Sequence, residues 1–144
     1  EGPDAAIGRF AEDVAAETDA ATRRSIARHF SNESLEEIVS DLAADAHPFA
    51  AATLATIRQR SPTSVKVAFR QIRAGATLSM DACMRMEFRI LTRMLAGKDF
   101  YEGIRAAIVE KGSTPIWRPA TLEDVADADV DAYFVPLESG DLDL

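Results

Sequence analysis

Two sets of basic side chains are the residues of this 144-residue chain best placed to do chemistry. They recur at helical intervals: Lys66, Arg70 and Arg73 at i, i+4 and i+7, and Arg85, Arg89 and Arg93 at i, i+4 and i+8. Residues at these spacings share one face of a helix, so each set predicts a basic ridge. A basic ridge can bind a phosphate-rich ligand, or it can pair with acidic segments of the same protein. The spacing alone leaves both interpretations open.

Groups suited to acid–base, nucleophilic or metal chemistry are scarce. Neither His29 nor His47 has a second histidine or a cysteine nearby in sequence, whereas a zinc site needs three or four closely spaced ligands. His29 is expected to be a partly buried helix residue and Cys83 a core residue. Glu102 is expected to pair with Arg105 or to bond a backbone amide in the first turn of its helix. The chain is therefore predicted to hold no catalytic residue and no metal.

The distribution of charge narrows the class of partner. The net charge is −8, yet residues 58–98 contain nine basic residues against two acidic ones. An acidic total argues against nucleic acid as a partner, since proteins that bind it present a dominant basic face. No apolar run approaches the roughly 18–20 residues that span a bilayer, so no membrane partner is expected. One cysteine cannot form an internal disulfide, which is compatible with a reducing compartment.

Helical periodicity and capping residues dominate the whole chain, and strand-like alternation is nearly absent. A first amphipathic helix is predicted over 4–17, and six more are predicted to start at Asp19, Asn32 or Ser34, Pro48, Pro62, Ser79 and Asp99. The last is expected to run to about Lys111. After Gly112 the prolines favour an irregular segment with short helices and a loose acidic tail over 138–144. The predicted fold class is all-α.

The apolar residues of the two longest helices form one-sided stripes. The predicted stripes are Val65, Ala68, Phe69 and Ile72 in one helix, and Met80, Met84, Phe88, Leu91 and Leu95 in the next. A one-sided stripe must be covered, and the Ala-rich helices near the start offer little apolar surface to cover it. Part of this apolar surface is expected to face a folded core that the chain does not contain.

Two stretches carry a family resemblance. Residues 61–73, Ser-Pro-Thr-Ser-Val-Lys-Val-Ala-Phe-Arg-Gln-Ile-Arg, resemble the helix that follows the catalytic core in 3-hydroxyisobutyryl-CoA hydrolases of the crotonase (enoyl-CoA hydratase/isomerase) superfamily. Residues 86–89 and 97–106 resemble the C-terminal helices of the same family, and Lys111, Pro115, Trp117, Pro119 and Ala120 resemble its ending. The resemblance spans residues 22–144 and is densest over 61–120.

The resemblance implies a C-terminal helical region that lacks the ββα-repeat core of the family. Residues 1–60 would flank that core, 61–112 would cover it, and 113–144 would form an irregular tail of one single region. The missing N-terminal core supplies the family's catalytic groups, and none of them maps onto this chain. Preorganised amides that hold an oxyanion are commonly the largest catalytic term, so this segment alone is expected to be inactive.

The reaction implied for the whole protein is hydrolysis of an acyl-CoA thioester in valine breakdown. Coenzyme A enters as part of the substrate, and no cofactor is required. The partners implied are the acyl-CoA, the missing core and, as an option, further copies of the protein. The implied location is the bacterial cytoplasm, or the mitochondrial matrix in a eukaryote. One alternative is enoyl-CoA hydration or isomerisation in the same superfamily, and another is a non-catalytic helical interaction module.

One ligand contact is carried over from the resemblance. In hydratase relatives a lysine and an aromatic residue of the Glu-Gly helix reach the adenine and phosphate of coenzyme A. Lys111 is the nearest equivalent, although it lies one residue farther from Gly103, and Ala107 stands where those relatives have the aromatic. Lys111 is therefore a candidate for binding the CoA phosphate or adenine, against the interpretation that it is an ordinary lysine at a helix C-terminus.

Overall fold

A computed structural model describes Gly8 and residues 18–144 of the chain. Its helices are α1 (Ala20–His29), α2 (Leu35–Ala44), α3 (Pro48–Gln59), α4 (Pro62–Gly75), α5 (Met80–Ala96), α6 (Lys98–Ile104), a π-helix (Arg105–Val109) and α7 (Asp127–Ala132). No strand occurs among the described residues, so the predicted all-α class is confirmed. The helix predicted over 4–17 lies outside the described residues.

Helices α1 to α5 begin where the sequence predicted, each with a side-chain cap. Asp19 accepts the Thr22 N–H at 2.8 Å, and Ser34 rather than Asn32 caps α2 in a reciprocal capping box with Glu37. Ser61 and Ser79 cap α4 and α5 by accepting the N–H groups of Ser64 and Ala82, without a reciprocal bond. These local contacts need only a few consecutive residues, and this explains why the sequence predicts them well.

The predicted cap at Asp99 is wrong. Gly97 occupies the N-cap position of α6, and no side chain caps that helix. Asp99 lies inside the first turn, where its carboxylate bonds distant parts of the chain. The helix also ends earlier than Lys111, because a π turn replaces the α pattern after Ile104.

Helix α4 joins two apolar clusters and contributes side chains to both. The first cluster lies between α2 and α3 and contains Ile38, Leu42, Ala50 and Leu54, with Phe69 of α4 packed against it. The second contains Val67 of α4, Met86 and Ile90 of α5, and Val125 and Val130 of the C-terminal part. Val67 is absent from the predicted stripe of α4, and Ile72, which is in it, is 74% exposed. The division of residues 1–144 into three parts stays a prediction.

The face of helix α5 that is buried within this chain is not the face that its apolar pattern predicted. Met86 and Ile90 are its buried residues, whereas Met80 is 75% and Leu91 53% exposed. At 3.6 residues per turn the two faces lie roughly 140° apart around the helix axis. Residues Met80, Met84, Phe88, Leu91 and Leu95 are called the α5 outer stripe below. Met80, Met84, Leu91 and Leu95 of the outer stripe are exposed among the described residues, as expected if the stripe faces a missing core, whereas Phe88 is half-buried.

The C-terminal tail is held more firmly than predicted. Arg89 of α5 forms a two-pronged ion pair with Asp141, and the Nε atom of Arg85 donates to the carbonyl of Leu142 at 3.2 Å. The tail therefore follows α5 instead of leaving the fold. No helix among the described residues has the length and apolar character that crossing a membrane requires.

Candidate functional site

The basic ridge of α5 is occupied by the chain itself. Arg89 binds Asp141 and donates to the carbonyl of Phe134 at 3.0 Å. Arg93 donates to the carbonyls of Tyr133 and Pro136, both at 3.2 Å. Each of these contacts uses a guanidinium fork, which suits two acceptors at once. The ridge thus anchors the tail along α5.

The basic ridge of α4 is occupied as well. Lys66 pairs with Glu36 at 2.8 Å and donates to the carbonyl of Val125 at 3.1 Å. Arg70 pairs with Asp131 and lies over the ring of Phe134, with 4.9 Å between guanidinium carbon and ring centroid.

Arg73, the third member of the α4 ridge, holds the α1–α2 turn. It donates to the carbonyls of Phe30 and Asn32 at 2.7 and 2.6 Å, and its guanidinium carbon lies 5.2 Å from the ring centroid of Phe69. Of the two interpretations of the ridges, pairing within the same protein is therefore the one that the structure supports.

The predicted pair of Glu102 and Arg105 is confirmed. Nε and Nη2 of Arg105 donate to the two carboxylate oxygens of Glu102 at 2.8 and 2.6 Å. The backbone amide that Glu102 accepts comes from Ile116, at 2.7 Å, and not from the helix's own first turn. Arg105 foremost, with the Ile116 amide, lowers the pKa of Glu102 from 4.5 to about 2.

Asp99 and Glu102 lie one helical turn apart and together hold the extended segment after the π-helix. Asp99 accepts the Arg118 N–H at 3.0 Å and the Ser61 hydroxyl at 2.6 Å. Since Glu102 holds the amide of residue 116, the two carboxylates bind alternate amides of one extended strip. Sequence reasoning missed this role of Asp99, because no local pattern relates it to residues 61 and 118.

Trp117 closes the same strip over the helices. Its indole N–H donates to the carbonyl of Gln59 at 3.0 Å, and its ring lies against Gly103 of α6. A cavity of about 810 Å³ opens beside it, bounded by Trp117, Phe100 and Ala107, by the hydroxyl of Ser61 and by the exposed Arg58 and Arg60. Its walls offer stacking surface, hydroxyls and positive charge. The hydroxyl–carboxylate pair in the wall, Ser61 with Asp99, is held by the backbone, because the Ser61 oxygen accepts the Ser64 N–H and Asp99 accepts the Arg118 N–H.

The π-helix places the candidate ligand residue. The Glu110 N–H donates to the Arg105 carbonyl at 2.7 Å, an i→i+5 bond that encloses one residue more than an α turn. Lys111 follows directly and is exposed to solvent. The structure therefore brings Lys111 to the end of the helix that also borders the cavity, through Ala107. It does not bring Lys111 together with either basic ridge.

The remaining candidate residues, His29, His47 and Cys83, differ in their packing and hydrogen bonds. His29, expected to be partly buried, is completely buried, and its Nε2 lies 2.8 Å from an oxygen of Asp45. The ring nitrogen Nδ1 of His47 accepts the Phe49 N–H and caps α3. Cys83 is a half-buried free thiol, so its prediction as a core residue holds only in part. Among the described residues no three histidine, cysteine or acidic side chains cluster as metal ligands would.

The Glu102 carboxylate is expected to stabilise the fold at neutral pH and to lose this contribution in acid. Its folded pKa of about 2 lies below its ordinary 4.5, so the contribution is complete above about pH 4.5 and fades as the pH falls towards 2. Urea unfolding of the full-length protein and of its Glu102→Gln variant should differ most near neutral pH. A difference of equal size at about pH 7 and about pH 3 would contradict the assignment.

Comparison with known proteins gives the chain its relatives. The sequence model of a family described as enoyl-CoA hydratase/isomerase matches residues 1–134. The 3-hydroxyisobutyryl-CoA hydrolase of Gallus gallus mitochondria is 47% identical over 115 residues, 80% of this chain and 30% of the relative. The Homo sapiens protein of the same name is 37% identical over 113 residues, which are 78% of this chain and 29% of the relative. This chain therefore spans about 30% of the length of such relatives.

Two solved structures share the fold. A carnitinyl-CoA dehydratase from Mycobacterium thermoresistibile superposes with a TM-score of 0.85 at 35% identity, over 95% of this chain and 39% of its own. An enoyl-CoA hydratase from Rhodobacter sphaeroides superposes with a TM-score of 0.80 at 29% identity, over 98% of this chain and 43% of the hydratase chain. In both, the matching part is less than half of the solved chain.

Proposed function

This chain belongs to the enoyl-CoA hydratase/isomerase family, and from that premise we propose that it is the C-terminal helical part of a 3-hydroxyisobutyryl-CoA hydrolase. The observation that carries the proposal is the identity of 37–47% to hydrolases of that name over about 80% of the chain. The whole protein would hydrolyse the thioester to a 3-hydroxy acid and free coenzyme A, a step in valine breakdown.

The chemistry would belong to the part of the protein outside this segment. Thioester hydrolysis needs preorganised donors at the developing oxyanion and a free base that activates water, and the carboxylates beside the cavity are not free. The carboxylates nearest the cavity, Asp99 and Glu102, are already committed to backbone amides and to Arg105. The segment's part is therefore to cover the acyl-CoA cleft and to support assembly.

The α5 outer stripe is the surface that we assign to the missing core. Four of its five side chains lie exposed, Phe88 is half-buried, and another face of the helix is already packed. Covering the stripe therefore removes apolar area from water without disturbing the described fold. A second exposed apolar surface lies on the π-helix, at Ile108 and Val109. We propose that this surface contacts further copies of the protein.

We place the CoA phosphate or adenine at Lys111. The lysine is exposed and positively charged, and the π turn accounts for its offset along the helix. An uninterrupted helix would need one residue fewer between Gly103 and the lysine, and the π turn takes up the additional one. Coenzyme A is here part of the substrate, and no separate cofactor is proposed.

The proposed location follows the relatives and the single thiol. The hydrolase relatives carry mitochondrial names, so a eukaryotic protein would work in the mitochondrial matrix and a bacterial one in the cytoplasm. The lone Cys83 is free, as a reducing compartment would keep it.

The family also contains a competing reaction. The two superposed structures bear the names of a dehydratase and a hydratase, so hydration of an enoyl-CoA is the second candidate for the whole protein. An isolated interaction module is disfavoured by the family match over residues 1–134.

Release of free thiol from 3-hydroxyisobutyryl-CoA by the full-length protein is the test. Hydrolysis is expected to exceed hydration of crotonyl-CoA measured beside it, and residues 1–144 alone are expected to give no more than the background rate, since even one missing oxyanion donor costs about 10²–10³ in kcat. Faster crotonyl-CoA hydration would favour the second candidate. Turnover by residues 1–144 alone would show that catalytic groups lie within the segment.

A further inference from the structure

The Arg105 side chain contacts three residues of the 110–114 loop, which carries Lys111. Nη1 of Arg105 contacts the carboxylate of Glu110 and lies 3.1 Å from the hydroxyl of Ser113. Nη2 lies 3.5 Å from the carbonyl of Thr114 and also bonds Glu102. The side chain is only 30% exposed, and its main-chain carbonyl accepts the π-type bond from Glu110. Arg105 is thus bonded to the residues on both sides of Lys111 and to the helix behind it.

We propose that Arg105 is a positioning residue, which fixes the 110–114 loop so that Lys111 meets the nucleotide end of an acyl-CoA. This inference rests on the proposed function, and within it on the contact between Lys111 and coenzyme A. Arg105 itself does not touch the ligand. It holds the two ends of the turn through Glu110 and Ser113, and the turn passes between them through Gly112, whose φ is +90°.

The guanidinium is the group that this task requires. A planar fork with five donors can bind Glu102, Glu110, Ser113 and Thr114 at once, whereas a lysine ammonium at the same place is a single point charge with three donors. A loop held in its binding conformation loses less freedom when the ligand arrives, which raises affinity without any new contact. The same network ties the loop to Ile116, because Glu102 accepts that amide.

The consequence is measurable as selectivity for the nucleotide end of the substrate. The full-length protein is assayed with 3-hydroxyisobutyryl-CoA and with the matching pantetheine thioester, which lacks the nucleotide. Arg105→Gln and Lys111→Gln are each expected to lower the ratio of kcat/KM for the CoA thioester to kcat/KM for the pantetheine thioester about three- to tenfold. This is the range expected when one long side chain must be immobilised on binding. The loss should lie in KM, and the double variant should lose no more than Lys111→Gln alone.

Glu110→Ala distinguishes a positioning role of Arg105 from a simple electrostatic effect. It also provides the test if the Arg105→Gln variant does not fold. Removing a negative charge beside Lys111 should strengthen phosphate binding if charge alone matters. If the loop must be held in place, loss of the Glu110–Arg105 contact should instead weaken phosphate binding. We expect Glu110→Ala to bind the phosphate more weakly. Arg24→Gln removes the same positive charge as Arg105→Gln or Lys111→Gln, but from an exposed position on α1, and should leave the ratio unchanged.

The outcomes distinguish this inference from the proposed function. Hydrolysis with a reduced ratio for Lys111→Gln, but with wild-type ratios for Arg105→Gln and Glu110→Ala, would overturn the positioning role and leave the proposed function standing. An unchanged ratio for Lys111→Gln would overturn both the lysine contact and the positioning role while hydrolysis persists. Absence of thioester hydrolysis would overturn the proposed function itself.

Discussion

Replacing Leu91 by Asp in the full-length protein is expected to lower the free energy of unfolding by about 3–5 kcal/mol, the cost of an uncompensated charge at a buried position. Leu91 is 53% exposed among the described residues and lies in the middle of the α5 outer stripe. If the missing core covers that stripe, as we propose, the aspartate would be buried without a partner. Equilibrium unfolding in urea measures the change.

Thr92→Asp is the matched control. Thr92 is the next residue along α5, is exposed and lies outside the stripe, so the same charge there should change stability by no more than about 0.5 kcal/mol. Equal effects of Leu91→Asp and Thr92→Asp, both small, would mean that the outer stripe faces water in the whole protein. The pair therefore tests which face of α5 docks on the core.

Ile38→Ala is expected to destabilise the protein by about 2–5 kcal/mol, because it opens a cavity in the cluster between α2 and α3. Ile38 has no exposed surface and packs beside Leu42, Ala50 and Leu54. Ile38→Val removes one methylene at the same place and should cost only about 0.5–1.5 kcal/mol.

The shape of the same unfolding curve tests the predicted domain organisation. Phe69 of α4 packs on the first cluster while Val67 of α4 belongs to the second, so both clusters should unfold together. Ile38→Ala should then shift one transition as a whole. A separate early transition for the variant would mean that α2 and α3 unfold as an independent unit, against a single region over residues 1–144.

Local and pairwise features were predicted well from the chain. The start of α2 at Ser34 and the pair of Glu102 with Arg105 both depend on residues three apart, which a helix brings together whatever surrounds it. The family resemblance was carried by the Ser61 and Asp99 stretches in the same way, since it depends on consecutive residues. Comparison then supported it over residues 1–134.

What the sequence by itself determined about this protein is its helical character, most helix starts and its family. Only the tertiary structure decided which apolar face of α5 is covered, because Met86 and Leu91 are equally apolar in a pattern and differ only in what packs against them. The partners of Arg89 and Asp99, 52 and 19 residues away, were equally beyond any local rule. A charged side chain chooses among many distant acceptors by position in space, and that position exists only once the helices have packed.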